Sequence, residues 1–254
     1  MIYLFVFILS CGFLLVLHMW LEAHRISVEK KDIHLEHFPE SFNGLKVFFI
    51  SDIHTRTLDE QLIDKIDEHI DLVIIGGDLV ERKVLFDRVS KNIDVLNKLA
   101  PIYFVWGNND YEVDYRKLDV LLRDKGVTVL DNTCAQLEKD GESLLLLGVD
   151  DATLDRDSLP LTLQDANQTG FRILISHNPI ITNQIEENHD IGLVLAGHTH
   201  GGQIRFFKWG IAEQGGLKSC DYTKLFISNG YGYTQLPLRL CAPAQTHILT
   251  IYNS

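Results

Sequence analysis

Residues 45–78 read LKVFFISDIHTRTLDEQLIDKIDEHIDLVIIGGD. The run Leu45–Ile50 is β-branched and aromatic, which predicts a buried strand. Leu58–His69 reads as an amphipathic helix, and Leu72–Ile75 as a second buried strand. The same alternation continues outward, with a helix expected over Lys83–Leu99 and a third strand over Ile102–Val105. Strands separated by helices in this way imply a parallel sheet covered by helices. Beyond Val127 the pattern changes. Asp140-Gly141 sits between two strand-like runs, Gln136–Lys139 and Ser143–Val149, which is a strong hairpin signal. Ile173–Ser176 and Leu193–Ala196 are further buried strands, and Gln203–Phe207, Lys224–Ser228 and Thr246–Ile251 are expected in a second sheet. The expected architecture is α/β, with two sheets face to face and helices outside.

Five predicted strand ends run straight into polar residues. They are Ser51-Asp52-Ile53-His54, Gly76-Gly77-Asp78 followed by Arg82, Gly107-Asn108-Asn109-Asp110, Ser176-His177-Asn178-Pro179, and Gly197-His198-Thr199-His200-Gly201-Gly202. Ligands of open α/β sheets collect at the carboxyl ends of strands, so segments far apart in sequence can converge there. Asp52 and His54, like His198 and His200, are two apart, so extended backbone would point each pair the same way. Mixed carboxylate, imidazole and amide donors suit Mn²⁺, Fe or Zn²⁺ and not a soft thiolate site. A carboxylate such as Asp78 can bridge two ions roughly 3.5–4 Å apart.

In this order and spacing the five segments resemble the motif series of the calcineurin-like metallophosphoesterases, over roughly residues 45–252. The resemblance implies an αββα four-layer sandwich of two mixed β-sheets with a dinuclear metal site at the strand ends. One metal would take Asp52, His54, Asp78 and His200; the other would take Asp78, Asn108, His177 and His198, with Asp78 bridging. The implied reaction is in-line attack of a metal-bridging hydroxide on phosphorus, with Arg82 helping to neutralise the non-bridging oxygens. Many members of that family carry histidine where this chain has Asn109. Asparagine donates a hydrogen bond but delivers no proton, so phosphodiester and pyrophosphate links are expected substrates and alkyl phosphomonoesters are not. The competing readings are a catalytically inactive scaffold on the same fold and a cyclic-nucleotide phosphodiesterase. Degenerate members typically lose metal ligands, and here every one is present.

Ile2–Leu21 is almost wholly apolar and, as a helix, rises about 30 Å, the thickness of a bilayer core. Neither a basic leading region nor a small-residue cleavage site accompanies it, so residues 1–22 are expected to be a retained transmembrane anchor. Residues 23–43 read as a charged connector, and residues 44–254 as the metallophosphoesterase domain. Arg25, Lys30 and Lys31 follow the apolar run and no basic residue precedes it, which predicts a single-pass protein of the cell membrane with its catalytic domain on the cytoplasmic side. That position, with the resemblance to the membrane-associated bacterial branch of the family, favours a phosphorylated small molecule or a lipid-linked substrate such as a UDP-acylated sugar. A net charge of −12 argues against broad nucleic-acid binding, which needs a basic surface. The four cysteines form no CxxC pair and no disulfide framework.

Overall fold

The computed structural model describes residues 1–254. In chain order the first strands are β1 (Val28–Leu35), β2 (Leu45–Ile50), β3 (Leu72–Gly76), β4 (Ile102–Val105), β5 (Thr128–Val129) and β6 (Thr133–Lys139). They are followed by β7 (Glu142–Gly148), β8 (Phe171–Ile175), β9 (Ile191–Ala196), β10 (Gly216–Ser219), β11 (Lys224–Ile227) and β12 (Thr246–Asn253). The helices are α1 (Ile2–Ala23), α2 (Glu60–Ile63), α3 (Phe86–Leu96), α4 (Tyr115–Asp124) and α5 (Leu159–Asp165).

The strands form two six-stranded mixed sheets, ordered β1-β12-β2-β3-β4-β5 and β10-β11-β9-β8-β7-β6. Along β2 the alternation of side chains divides the core. Val47 and Phe49 point into the layer between the sheets, where they meet Leu146, Ile173, Leu193 and Leu249. Phe48 and Ile50 point the other way, into a layer closed by Val89 and Ile93 of α3 and Leu118 and Leu122 of α4. On the far face of the second sheet, Leu145, Leu147, Leu174 and Val194 pack under Leu159 of α5 and Ile181. Strands buried on both faces read as continuous apolar runs, which is why β2, β3, β8 and β9 were legible. Each large side chain so buried contributes about 1.5–3 kcal/mol. The expected αββα sandwich is the fold.

Four local expectations are corrected. The run from Thr246 is not in the second sheet: β12 lies in the first, antiparallel to β2, with Ile248 opposite Phe48. The expected connector carries β1, which pairs parallel with β12 from Val28↔Thr246 to Leu35↔Asn253, so residues 28–35 belong to the sheet. The helix expected over Leu58–His69 is one turn, capped by the Asp59 carboxylate accepting from Gln61 N. Charged residues beyond it are drawn to the sheet edge instead, Asp67 and Glu68 pairing with Lys30 and Glu68 also with Lys46. Gln203–Phe207 is a loop with isolated bridges only, because Gln203 and Phe207 hold positive φ.

His247 on β12 is 2% exposed, with Nε2 3.1 Å from Ser228 Oγ and its ring edge-on to Phe226. Burial pushes its pKa down to about 3. The unfolded chain takes up this proton near pH 6.5 and the folded chain does not, so stability is lost as pH falls from 6.5 toward 3. His247→Gln is expected to remove on the order of 2–3 kcal/mol of that acid sensitivity. Denaturant midpoints of both proteins at pH 7.5 and pH 4.5 check it; equal drops would contradict it.

Candidate metal centre

The turn after β2 is laced to the turn after β3. Asp52 N donates to Gly77 O at 3.0 Å, and Ile53 N and His54 N both donate to Asp78 O, at 2.8 and 3.1 Å. The turn after β9 joins them, His198 N donating to Asp52 Oδ1 at 3.1 Å. Asp52, His54, Asp78, His198 and His200 have φ of 54, 52, 52, 68 and 49°. The expected extended backbone is therefore absent, and the side chains converge through left-handed turns. Such residues cost about 1–3 kcal/mol each and persist where the surroundings fix them, typically at functional sites. Two glycines make the close approach possible: a Cβ on Gly107 would lie 2.3 Å from Asp78 Oδ1, and one on Gly77 2.6 Å from His177 Nδ1.

Within this pocket the carboxylates and imidazoles of Asp52, His54 and His200 lie within 4.8 Å of one another, as do those of Asp52, Asp78 and His177. Asp52 is common to both groups, while Asp78 Oδ2 is the atom reaching both histidine sides, 3.7 Å from His54 Nε2 and 3.3 Å from His177 Nε2. The imidazoles face each other in pairs. His54 Nε2 is 3.0 Å from His200 Nε2, and His177 Nε2 is 3.1 Å from His198 Nδ1. Two imidazole nitrogens can approach so closely only with a proton or a cation between them.

The electrostatics divide each pair. Burial holds His200 down to about 3. It opposes charge on His54 too, but Glu81, Asp78 and Asp52 raise that group. Burial likewise disfavours charge on His177, yet the Asp78 and Asp52 carboxylates lift it to about 10, while burial and charged His177 lower His198. In each pair the carboxylates favour positive charge on one imidazole, His54 in the first and His177 in the second. Asn108 Oδ1 is buried here without a hydrogen-bond partner, an acceptor suited to a hard or borderline ion. The donor set fits divalent metals.

Of the two residues expected to act catalytically, Asn109 is bonded into these turns. Asn109 N and Nδ2 donate to Asp78 Oδ1 and Oδ2 at 2.8 and 2.7 Å, so its amide is held by that carboxylate. Arg82 is exposed, and only its backbone is bonded, N donating to Glu112 Oε2 at 3.2 Å.

Three outer residues escaped the sequence reading. The buried Asp110 carboxylate accepts from the N–H groups of Asp78, Val80 and Gly107, tying two ligand turns together; burial and the Asp78 charge raise it to about 8. Glu81 Oε2 lies 3.1 Å from His54 Nδ1. Arg239 is fully buried: Nη2 is 3.1 Å from His200 Nδ1, and the guanidinium donates to the carbonyls of Asn229, Gly232 and Ala242. Asp110 stood inside a quoted motif, but Arg239 is a lone arginine in a loop without a local signal.

Solved structures share this fold at low identity. The chain superposes on the sulfate thiohydrolase SoxB of Thermus thermophilus with a TM-score of 0.55 at 12% identity, covering 85% of this chain and 58% of that one. Among relatives in sequence, the Bacillus subtilis protein YpbG is 44% identical across 82% of this chain and 81% of its own length. A Helicobacter pylori metallophosphoesterase is 30% identical, and a zebrafish (Danio rerio) transmembrane protein with a metallophosphoesterase domain 29%. Those two alignments take in 82% and 84% of this chain but only 60% and 54% of the relatives' lengths. The family model for the calcineurin-like phosphoesterases matches residues 45–202, the span that carries all seven expected ligands, and the chain belongs to that family.

Proposed function

We propose that this chain is a membrane-anchored dimetal phosphoesterase that hydrolyses phosphodiester or pyrophosphate bonds. The observation that carries the reading is the pair of facing histidine couples, His54 with His200 and His177 with His198, on either side of Asp78. Asp52, His54, Asp78 and His200 would hold one ion, and Asp78, Asn108, His177 and His198 the other, with Mn²⁺, Fe or Zn²⁺ suiting the donors. When bound, two such ions supply Lewis-acid charge and a water nucleophile of lowered pKa.

The protein's own part is to hold these groups rigidly. His177 Nδ1 lies 2.9 Å from Gly76 O, which fixes its tautomer and aims Nε2 inward. The buried Arg239 guanidinium, 3.1 Å from Nδ1 of His200, fixes the position of that ring; being donor-only, it does not select the Nδ1–H tautomer as Gly76 O does for His177. The Asn109 amide supplies a hydrogen bond but no proton, so a leaving group must depart without a strong general acid. Arg82, exposed and four positions after Asp78, would neutralise a substrate's non-bridging oxygens.

α1 is a 22-residue helix, long and apolar enough to cross a membrane, whose side chains stay exposed from Ile2 to Leu17. A core helix of a soluble protein would bury one face. As an anchor it places the catalytic domain at a membrane, on the cytoplasmic side by the basic residues that follow it, and favours a lipid-linked phosphate ester.

A screen of the full chain in detergent, metal-loaded, against diesters, pyrophosphates, cyclic nucleotides and alkyl phosphomonoesters tests the reading. Diesters or pyrophosphates should turn over fastest. Asn109→His should raise monoester turnover by about 10-fold or more, since a positioned acid is worth about 10²–10⁴-fold. High monoester turnover unchanged by the substitution would sink the substrate preference, and no turnover of any class would favour an inactive scaffold.

A further inference from the structure

The carboxyl end of α1 is bonded to the loops that surround the candidate metal centre. Arg239 N donates to Met19 O at 2.9 Å, and Arg56 donates from Nη2 to His24 O and from Nη1 to Arg25 O, both at 3.0 Å. The loop of residues 203–212 lies beside this junction. Arg205 N donates to Leu240 O, and Leu240 N to Gln203 O, both at 2.9 Å, so the loop pairs with the same segment that binds the helix end. Its outer residues are large and apolar: Phe206, Phe207, Trp209 and Ile211 are 72, 75, 72 and 96% exposed, and nearby Leu236 is 60% exposed. Gln203 Nε2 ties the two together, donating to Thr234 O and Leu236 O.

The loop is built to keep that surface. Phe206 N donates to Trp209 O at 2.8 Å and Trp209 N returns a bond to Phe206 O at 3.0 Å, closing a tight tip. Beneath it the buried Arg205 guanidinium donates to the carbonyls of Gly201, Lys208 and Ala212 at 2.9, 2.7 and 2.7 Å. A segment entering a bilayer must satisfy its own backbone groups, and this tip does so at its base. Tryptophan favours the membrane interface, and the exposed Lys208 can extend its ammonium back to the headgroups. Clustered exposed aromatic residues on a folded domain mark a contact surface.

We propose that the 204–211 loop inserts its apolar tip into the membrane interface beside α1, as a second attachment that fixes the catalytic domain's orientation. This rests on the reading of α1 as the anchor, and the bilayer is favoured as occupant because residues 239 and 240 bond the helix end on one side and the loop on the other. Phe206 is six positions after His200, which limits their Cα atoms to about 20 Å apart. The candidate metal centre then lies within about that distance of the headgroup layer, a depth suited to the phosphate ester of an amphiphilic substrate.

Trp20, Trp106 and Trp209 are the three tryptophans, and Trp106 is buried in the core. The full chain carrying Trp20→Phe, and the same chain also carrying Trp209→Phe, are placed in nanodiscs of phosphatidylcholine brominated near the headgroup. The difference between their emissions reports Trp209. It should lose most of its intensity in brominated relative to plain nanodiscs, and should resist aqueous iodide. Trp209 emission that ignores the brominated lipid and yields to iodide would overturn the proposal. Emission protected from both would also overturn it, in favour of cover by a second copy. Trp209→Phe, compared with the double variant, reports Trp20: if Trp20 is quenched by the lipid and Trp209 is not, only the loop proposal fails. An unquenched Trp20 removes the anchor reading as well.

Discussion

Asp78→Asn is expected to cut phosphodiester turnover by more than about 100-fold, the upper end of what loss of an outer-shell partner costs a metal site. Asp78 Oδ2 is the oxygen that reaches both His54 and His177, and the same carboxylate accepts both Asn109 N–H groups. His177 owes its raised pKa, against burial, chiefly to this charge. Asparagine keeps the shape but removes the charge and presents an N–H to one side, so it cannot serve two cations. Turnover of bis(p-nitrophenyl) phosphate by the purified, metal-loaded variant checks this, with bound metal measured on the same sample. A variant within a few-fold of the wild type would show that Asp78 is not shared between two ions.

Arg239→Leu is expected to destabilise the folded chain by about 3–5 kcal/mol, the sum over the buried carbonyls that lose their donor. Burial lowers the Arg239 pKa to about 10, so the guanidinium still carries its charge at neutral pH. It donates to carbonyls of three loop residues, Asn229, Gly232 and Ala242, and lies against Nδ1 of His200. Leucine fills part of the volume and leaves those acceptors without donors, each costing about 1–3 kcal/mol. The melting temperature in detergent should fall by roughly 10 °C. Arg239→Lys should recover some stability, but a single ammonium cannot span the same acceptors, so His200 stays poorly oriented. A fall of less than about 2 °C for Arg239→Leu would contradict the role given to this side chain.

The local chemistry was legible because it is carried by residue type at strand ends. Asp52, Asp78, Asn108, His177 and His198 each follow an apolar run closely, and the runs that became β2, β3, β4, β8 and β9 announce themselves by two-sided burial. Sheet membership was not legible for Thr246–Asn253, since a strand buried on both faces fits either sheet and only its pairing with Phe48 and Phe49 decides. Val28–Leu35 looked like a connector because five of its eight residues are charged or histidine on an edge strand. The left-handed turns at Asp52, His54, Asp78, His198 and His200 were also invisible, as neither residue type demands positive φ. Arg239 and Arg56 work on backbone carbonyls, whose positions are set by the tertiary fold.

Two metal ions at this centre are expected to carry out phosphoester hydrolysis. The most direct measurement is metal stoichiometry and turnover on one preparation of the full chain in detergent, loaded with Mn²⁺ and freed of excess. Two ions per chain are expected, with bis(p-nitrophenyl) phosphate cleavage that disappears on chelation and recovery of both when Mn²⁺ or Zn²⁺ is restored. A chain that binds at most one ion, or cleavage that survives complete removal of metal, would contradict it.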